Sequence, residues 1–431
     1  MRPLNHLLDR SITSTVNLPQ PTDALRLTLK NAFQKCPLHH ERLSSVGLSE
    51  KNIDSFSVSD LSELPIMTAQ DLRENWNQLS VIDNNSFRVS TSGGTIGAPK
   101  FMIRTLNDWA ISLDSHIRVL ETAGLCRNHR LLIALPFDLW CIGYLTVDAC
   151  KEMGSLAIPV GVRMDDEALA DCLSRFSANA ILTTPSRWEL FSEKRPDLCA
   201  KHQGLLMLLA GEQVTNKTRT MLSNLWRGDV RAVYGSEETD GLGSECDQGG
   251  GMHILNDRFI FEVKNSSNGD TQINKGRGEL FVTSLYHQGT PLIRYDLGDF
   301  VEINTNGCSC GNKFPKINVF GKTGEVLFFR DATKVYGYQI QEAINEVFGE
   351  EHRYQAIAYF DDTGHEILEL RLPLLLKSRT NAEAIEKVLL REHPDLADSI
   401  LIYLLSIQVK FVEFEMLETL KGKEKRLIDQ R

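Results

Sequence analysis

Between residues 131 and 209 short apolar runs alternate with longer segments of helical periodicity. This alternation limits the fold more than any other feature of the chain. The runs at 131–135, 156–160, 180–183 and 205–209 are rich in Leu, Ile, Val and Ala and have the length of buried strands. The segments 142–153 and 166–176 between them read as helices. Parallel neighbours need a crossover, and a crossover helix covers the sheet, so the pattern predicts a parallel sheet covered by helices. Further helices are expected over 24–43, where Leu25, Leu29, Phe33 and Leu38 recur near helical spacing, after Thr68 as N-cap, and from about Leu106.

After Glu245 the pattern changes. Short runs at 253–255, 259–263, 278–283 and 300–303 are separated by polar turns such as Asn265-Ser266-Ser267-Asn268-Gly269-Asp270. They predict an antiparallel sheet or a small barrel. From about Glu325 a third pattern begins: a hairpin (326–329, 333–335), helix 340–348, strands 354–360 and 366–372, helix 382–392 and strand 407–414. That is a small α+β unit of about a hundred residues. The expected fold class is therefore α/β. A large N-terminal part over 1–323 carries parallel α/β subdomains plus a small β unit, and a small α+β domain follows over 324–431.

A chain of 431 residues is long enough for two or three domains, and its 42% hydrophobic and 24% charged residues are those of an ordinary globular protein. The net charge of −10 argues against nucleic acid or an anionic membrane as the main partner. Residues 1–8 lack a long apolar signal region, and the most apolar stretch, 131–145, contains Pro136 and Asp138 and is too short to span a bilayer. A cytoplasmic protein without a membrane partner is expected. Nine scattered cysteines do not form a disulfide framework.

Chemistry is concentrated in a few segments. Thr91-Ser92-Gly93-Gly94-Thr95-Ile96-Gly97-Ala98-Pro99-Lys100 follows a short strand. Its glycines allow close backbone approach to an anion, its hydroxyls donate, and Lys100 supplies a point charge. It is not the common phosphate loop, which places Gly-Lys-Ser/Thr at a helix start. Tyr234-Gly235-Ser236-Glu237-Glu238-Thr239-Asp240-Gly241 follows the apolar run 230–233, Arg294-Tyr295-Asp296-Leu297-Gly298-Asp299 follows Pro291-Leu292-Ile293, and Leu420-Lys421-Gly422-Lys423-Glu424-Lys425-Arg426 stands near the end. Cys246, His253, Cys308 and Cys310 supply the ligand set of a structural tetrahedral zinc site. Four protein ligands would leave no open position for water.

Four of these segments, in this order, resemble the adenylate-forming superfamily of acyl-CoA synthetases, luciferases and carrier-protein adenylation domains. The phenylacetate–coenzyme A ligase-like branch is the most similar: it shares the N-terminal Leu61-Ser62-Glu63-Leu64-Pro65-Ile66-Met67-Thr68 and Asp71-Leu72-Arg73 and a Cys-x-Cys-Gly segment at 308–311. The resemblance covers roughly residues 22–431. It implies activation of a small carboxylic acid by ATP through an acyl adenylate, release of AMP, and transfer of the acyl group to a thiol.

The same resemblance distributes roles. Thr91, Ser92, Gly93, Gly94, Thr95, Gly97 and Lys100 would hold the β- and γ-phosphates, although Gly94 is an addition and Ile96 stands where a threonine is usual. Glu238 would bind Mg²⁺, and a single carboxylate suffices beside phosphate oxygens and water. Tyr234 would lie near adenine, Asp299 would accept both ribose hydroxyls, and Gly211, Glu212, Gly235, Ser236 and Lys322 would line the nucleotide. Lys423 would close on the adenylation site from a C-terminal domain that swings about Gly324. Glu237 stands where Ser or Thr is usual, Asp296 where Arg often stands, and Lys322 where Arg is common.

A carboxylate at Glu237 facing the α-phosphate would repel it, so Glu237 is expected to turn outward or to find a cation. Coenzyme A is the expected thiol. A phosphopantetheinyl carrier protein, a protein cysteine, and a non-catalytic nucleotide-binding member remain alternatives, as does a homodimer. Phe137, Trp140, Tyr144 and Trp188 are candidates for an aromatic-acid pocket.

Overall fold

The computed structural model describes residues 20–92, 99–265, 269–323, 326–329, 333–350, 352–379, 382–401, 405–413, 417, 419–420, 423–424 and 426–431. The helix expected over 24–43 is two helices, α1 (Pro21–Lys35) and α2 (Pro37–Ser45). Pro37 lacks an N–H and its ring drives the preceding residue out of the helical region, so Cys36 is extended at φ −113°, ψ 104°. Thr68 caps α3 (Ala69–Leu79): its hydroxyl accepts the Asp71 N–H while the Asp71 carboxylate reaches back. β1 (Ser86–Ser92) and β2 (Lys100–Thr105) form an antiparallel pair, and Thr105 caps α4 (Leu106–Thr122).

The strands and the two helices expected in the alternating region are present. β3 (Arg130–Ile133), α5 (Ile142–Met153), β4 (Leu156–Pro159), α6 (Asp166–Arg175), β5 (Ala180–Thr183), α7 (Pro185–Lys194), α8 (Pro196–Lys201), β6 (Leu206–Ala210), α9 (Asn216–Trp226) and β7 (Val230–Ser236) follow in order. Of these, α7, α8 and α9 are three helices not expected from sequence. β4, β3, β5, β6 and β7 are parallel neighbours in that spatial order. The order reverses around β3, and the loops leaving the carboxyl ends of these strands open onto the crevice where such sheets bind ligands. One core face holds Trp188 stacked between Phe191 and Trp226, with ring centroids 4.9 Å apart in both pairs. Trp188 is therefore core and does not line an acid pocket.

The antiparallel strands are present, and they continue the same sheet. β8 (Asp240–Glu245), β9 (Met252–Ile254), β10 (Phe259–Lys264), β11 (Thr271–Ile273), β12 (Gly276–Ser284), β13 (Tyr295–Asn304) and β14 (Lys316–Lys322) complete a twelve-stranded sheet in the order β11-β10-β12-β13-β14-β9-β8-β7-β6-β5-β3-β4. β13 begins at Tyr295, so the motif after Ile293 lies within a strand and not in a turn.

The C-terminal residues build a separate core. β15 (Val326–Phe328), β16 (Lys334–Tyr336), α10 (Gly337–Phe348), β17 (Gln355–Phe360), β18 (Glu366–Pro373), α11 (Ala382–Glu392), α12 (Pro394–Leu401), β19 (Leu405–Val412), β20 (Thr419–Leu420), β21 (Lys423–Glu424) and β22 (Leu427–Asp429) follow. A four-stranded sheet, β19-β18-β17-β22, packs on α10 and α11 through Ile340, Ile344, Leu368, Leu370, Ile385 and Leu389. This unit touches the large part at a few points: the Tyr338 ring stacks on Phe300 at 3.9 Å, Glu342 pairs with Arg277, and Arg353 pairs with Glu189 at 3.2 Å.

Candidate active site

The turn from β7 into β8 carries the central carboxylates. Gly235 belongs here because of a close approach: a Cβ on it would lie 2.2 Å from the Asp240 carbonyl oxygen. The two adjacent glutamates then diverge. Glu238, 3% exposed, pairs with Lys100 at the start of β2 and accepts the Tyr295 hydroxyl at 3.1 Å. Lys100 Nζ is also 3.3 Å from that hydroxyl. Burial alone would raise the Glu238 pKa, but the Lys100 charge and hydrogen bond bring it below the ordinary value.

Glu237 turns the other way. Its Oε1 accepts the Cys141 N–H at 2.7 Å, at the N-terminus of α5. Its hydrogen-bond partner is thus a backbone donor at a helix end, which favours an anion, and it turns away from Glu238, one of the two arrangements expected from sequence. Burial and then the Asp240 charge still push its pKa up to about 8, against the Cys141 N–H and the Arg104 charge.

A second constellation also draws on β13. The Tyr234 hydroxyl donates to Asp299 Oδ2 at 2.7 Å, and Lys322 Nζ pairs with Asp299 Oδ1 at 2.8 Å. Burial first, then the Asp299 charge, raise the Tyr234 pKa well above its ordinary value. Asp296 accepts the Gly298 N–H at 2.8 Å, and burial raises its pKa. Arg294 faces away and is structural: it pairs with fully buried Glu262 at 3.0 Å and donates to the carbonyls of Ser62 and Leu64, tying the N-terminal segment to the sheet.

Thr91 and Ser92 end β1 beside the loop that leaves β3: the Thr91 N–H donates to Leu139 O at 3.1 Å. Ser92 Oγ is buried without a partner among the described residues. Gly93, Gly94, Thr95 and Gly97, like the hinge Gly324, lie outside the described residues. Gly211 has φ +81°, and Glu212 beside it accepts the Ser186 N–H at 3.0 Å and hydroxyl at 2.9 Å, capping α7. Ser236 exchanges hydrogen bonds with Thr239 within the turn. The backbone of Lys423 lies in β21, and Arg426 Nη1 donates to Gln213 at 3.1 Å, so the C-terminal segment reaches the loop after β6. Phe137 and Tyr144 pack edge to face at 5.3 Å, and the Arg88 guanidinium lies 4.0 Å from the Tyr144 ring.

Tyr295 and Arg104 are site residues that sequence reasoning missed. Tyr295 sat inside a quoted motif without a role. Arg104 could have been found as a lone charge in the buried run Met102-Ile103-Arg104-Thr105.

Apart from this cleft, Cys246, His253, Cys308 and Cys310 converge, with all four candidate ligand atoms within 4.8 Å of one another. Cys246 Sγ lies 3.7 Å from Cys308 Sγ, and Cys310 Sγ lies 3.3 Å from His253 Nε2. His253 Nδ1 sits 2.9 Å from Phe314 O, a contact that needs a proton on Nδ1 and leaves Nε2 free to ligate. Donor types, number and tautomer all fit a tetrahedral thiophilic ion.

No family model matches the chain. It is 26% identical to the phenylacetate-coenzyme A ligase of Escherichia coli K12 over 351 residues, 79% of each chain. It is 23% identical to the phenylacetate-coenzyme A ligase of Pseudomonas putida over 441 aligned residues, covering 99% of this chain and 97% of the relative. Among solved structures, 2-hydroxyisobutyryl-CoA ligase in the postadenylation state, in complex with 2-HIB-AMP, has a TM-score of 0.72 at 17% identity, over 95% of this chain and 88% of that one. ATP-bound MatB from Rhodopseudomonas palustris has a TM-score of 0.51 at 14% identity, over 78% and 66%. In sequence the chain is similar to phenylacetate-coenzyme A ligases, and in fold it is similar to the adenylate-forming CoA ligases.

Proposed function

We propose that the chain is an AMP-forming acid–thiol ligase that activates a small carboxylic acid, an aryl acid in the first instance, and passes it to coenzyme A. One observation carries the reading: Lys100 and Tyr295 hold Glu238, and Tyr234 and Lys322 hold Asp299, four residues on from Tyr295 in β13. A cation suited to phosphate oxygens thus contacts the strand that carries a carboxylate suited to hydroxyls, the two chemistries that a nucleotide needs. The phenylacetate-coenzyme A ligases similar to it in sequence support the acid and the thiol.

In the first half-reaction an oxygen of the acid's carboxylate bonds to the α-phosphorus of ATP, and pyrophosphate leaves. In the second, the thiol sulfur bonds to the acyl carbon, AMP leaves, and the thiol proton is released. Asp299 is assigned to the ribose hydroxyls, with Tyr234 and Lys322 fixing both of its oxygens in place. Lys100 neutralises Glu238 until nucleotide arrives and then turns to phosphate oxygens. Thr91 and Ser92 donate to the same phosphates. Lys423 is assigned to the carboxylate and α-phosphate during adenylation, brought there by a C-terminal domain over 324–431 that moves against the part over 1–323.

Glu238 is the buried carboxylate that fits Mg²⁺, which when bound would offset charge on the phosphates. The Cys246, His253, Cys308, Cys310 set fits Zn²⁺, which would join two loops without chemistry of its own.

The test is ATP–pyrophosphate exchange over a panel of aryl and aliphatic acids, followed by detection of the thioester with coenzyme A or a holo-carrier protein. Acid-dependent exchange and a coenzyme A thioester are expected. A chain that binds ATP yet exchanges no pyrophosphate with any acid would be a nucleotide-binding relative and not a ligase.

A further inference from the structure

Behind the Glu237–Glu238 turn lies a buried ionic cluster that the reaction above does not use. Arg104 in β2 is 0% exposed. A single nitrogen, Nη2, donates to the carbonyls of Glu237 at 3.0 Å and Glu238 at 2.9 Å, and pairs with Asp240 Oδ2 at 3.3 Å. Asp240 Oδ2 also accepts the Ser112 hydroxyl at 2.5 Å. Asp240 opens β8 with a left-handed backbone, φ +58°, a conformation that a residue with a side chain keeps only where its surroundings hold it.

Burying a guanidinium is unfavourable, and apolar packing often replaces a buried ion pair without loss of stability. This one also leaves Nε and Nη1 without partners among the described residues. Its contacts are therefore poorly explained as a device for stability alone. They converge on the backbone of the turn from which the Glu238 side chain leaves toward Lys100.

We infer that Arg104 is a positioning residue: by gripping the carbonyls of Glu237 and Glu238 and the strained Asp240, it fixes the direction of the Glu238 carboxylate and so the affinity for the divalent cation that accompanies the nucleotide. This rests on the ligase reading of Glu238. Partners that orient a metal ligand commonly change metal affinity by about 10-fold to 100-fold when removed.

The experiment is calorimetric titration of the full chain with Mn²⁺·ATP and with metal-free ATP, alongside melting temperatures and pyrophosphate exchange. Arg104→Met should weaken Mn²⁺·ATP by on the order of 10-fold and leave metal-free ATP within about twofold. Arg104→Lys keeps three donors on one nitrogen, so it should recover much of that loss. Arg104→Met would strand Asp240 as an unpaired buried charge, which by itself threatens the fold. The double variant Arg104→Met with Asp240→Asn removes that charge: it should regain stability while Mn²⁺·ATP binding stays weak. If the double variant regains wild-type Mn²⁺·ATP affinity together with its stability, or if a folded Arg104→Met chain binds Mn²⁺·ATP like wild type, Arg104 is only structural. A wild-type chain that binds no Mn²⁺·ATP would overturn the ligase reading and this inference with it.

Discussion

Two adjacent glutamates at the β7–β8 turn have opposite environments. Glu238 is held charged by Lys100, while Glu237 is buried on the Cys141 N–H with its pKa near 8. Glu238→Ala is expected to lower pyrophosphate exchange by about 10² to 10³, the usual effect of losing one electrostatic contact to a transition state. Glu237→Ser should cost less than tenfold. Comparable losses would mean that Glu237 is the metal ligand. The sequence flagged Glu237 as out of place beside a phosphate but could not say where it points. Its partner lies on α5, 96 positions away, and a contact of that range leaves no local periodicity to read. Asp299 was singled out through the family resemblance, and its partners Tyr234 and Lys322 come from β7 and β14. Tyr295 and Arg104 were not, since their partners Glu238 and Asp240 stand 57 and 136 positions away on the β7–β8 turn and in β8.

At the scale of elements, the strands of the parallel half and its helices α5 and α6 were readable from their periods, down to α5 at Ile142–Met153 and β5 at Ala180–Thr183, whereas α7, α8 and α9 were not. The break at Cys36 was readable in principle from Pro37, but continuous apolar spacing masked it. What period cannot give is strand order. Nothing local says that β9 pairs with β14 and so puts His253 beside Cys308 and Cys310. The expected metal content is close to one zinc per chain, measured by elemental analysis. Cys308→Ser or Cys310→Ser should abolish it and lower the melting temperature by several degrees, since metal affinity is folding free energy. Metal-free protein of unchanged melting temperature would show four reduced, idle side chains instead.

For the whole molecule, pH and domain motion set the expectations. Burial lowers the pKa of His39 to about 4 and of His116 to about 4, each from 6.5. Burial, then Arg104, lowers His287 to about 3. The folded chain thus holds fewer protons than the unfolded chain below pH 6.5. Each histidine should remove about 1.4 kcal/mol of stability per pH unit as pH falls from 6.5 toward 4. Glu237 acts in the opposite sense: its folded pKa of about 8 lies above 4.5, so stability falls as pH rises between those values. Between these four groups the slope turns over near pH 6.5. Denaturant unfolding from pH 5 to 8.5 measures it, and Glu237→Gln should flatten the alkaline limb. A maximum above pH 8 in wild type would contradict this.

Among the described residues the C-terminal unit meets the large part at Tyr338 on Phe300, Arg277 with Glu342, and Arg426 with Gln213, among other contacts. Lys423→Ala should slow adenylate formation by about 10² to 10³ and spare transfer from a preformed adenylate, as expected of a charge used in one transition state. Equal losses in both half-reactions would assign Lys423 to the fold.

The three-residue strand β9 joins the two halves of the sheet: β8 lies on one side of it and β14 on the other. About 60 residues separate Ile254 from Lys316 in the chain. At the ordinary pace of synthesis, roughly 5 to 20 residues per second, β9 waits about 3 to 12 s on the ribosome before its second neighbour is made. Through that interval the parallel half ends in a bare edge, the kind of surface that recruits stray strands. The nascent chain is therefore most exposed to mispairing between emergence of Ile254 and emergence of β14, and ribosome stalling inside that window should yield far more aggregate than stalling after Lys322.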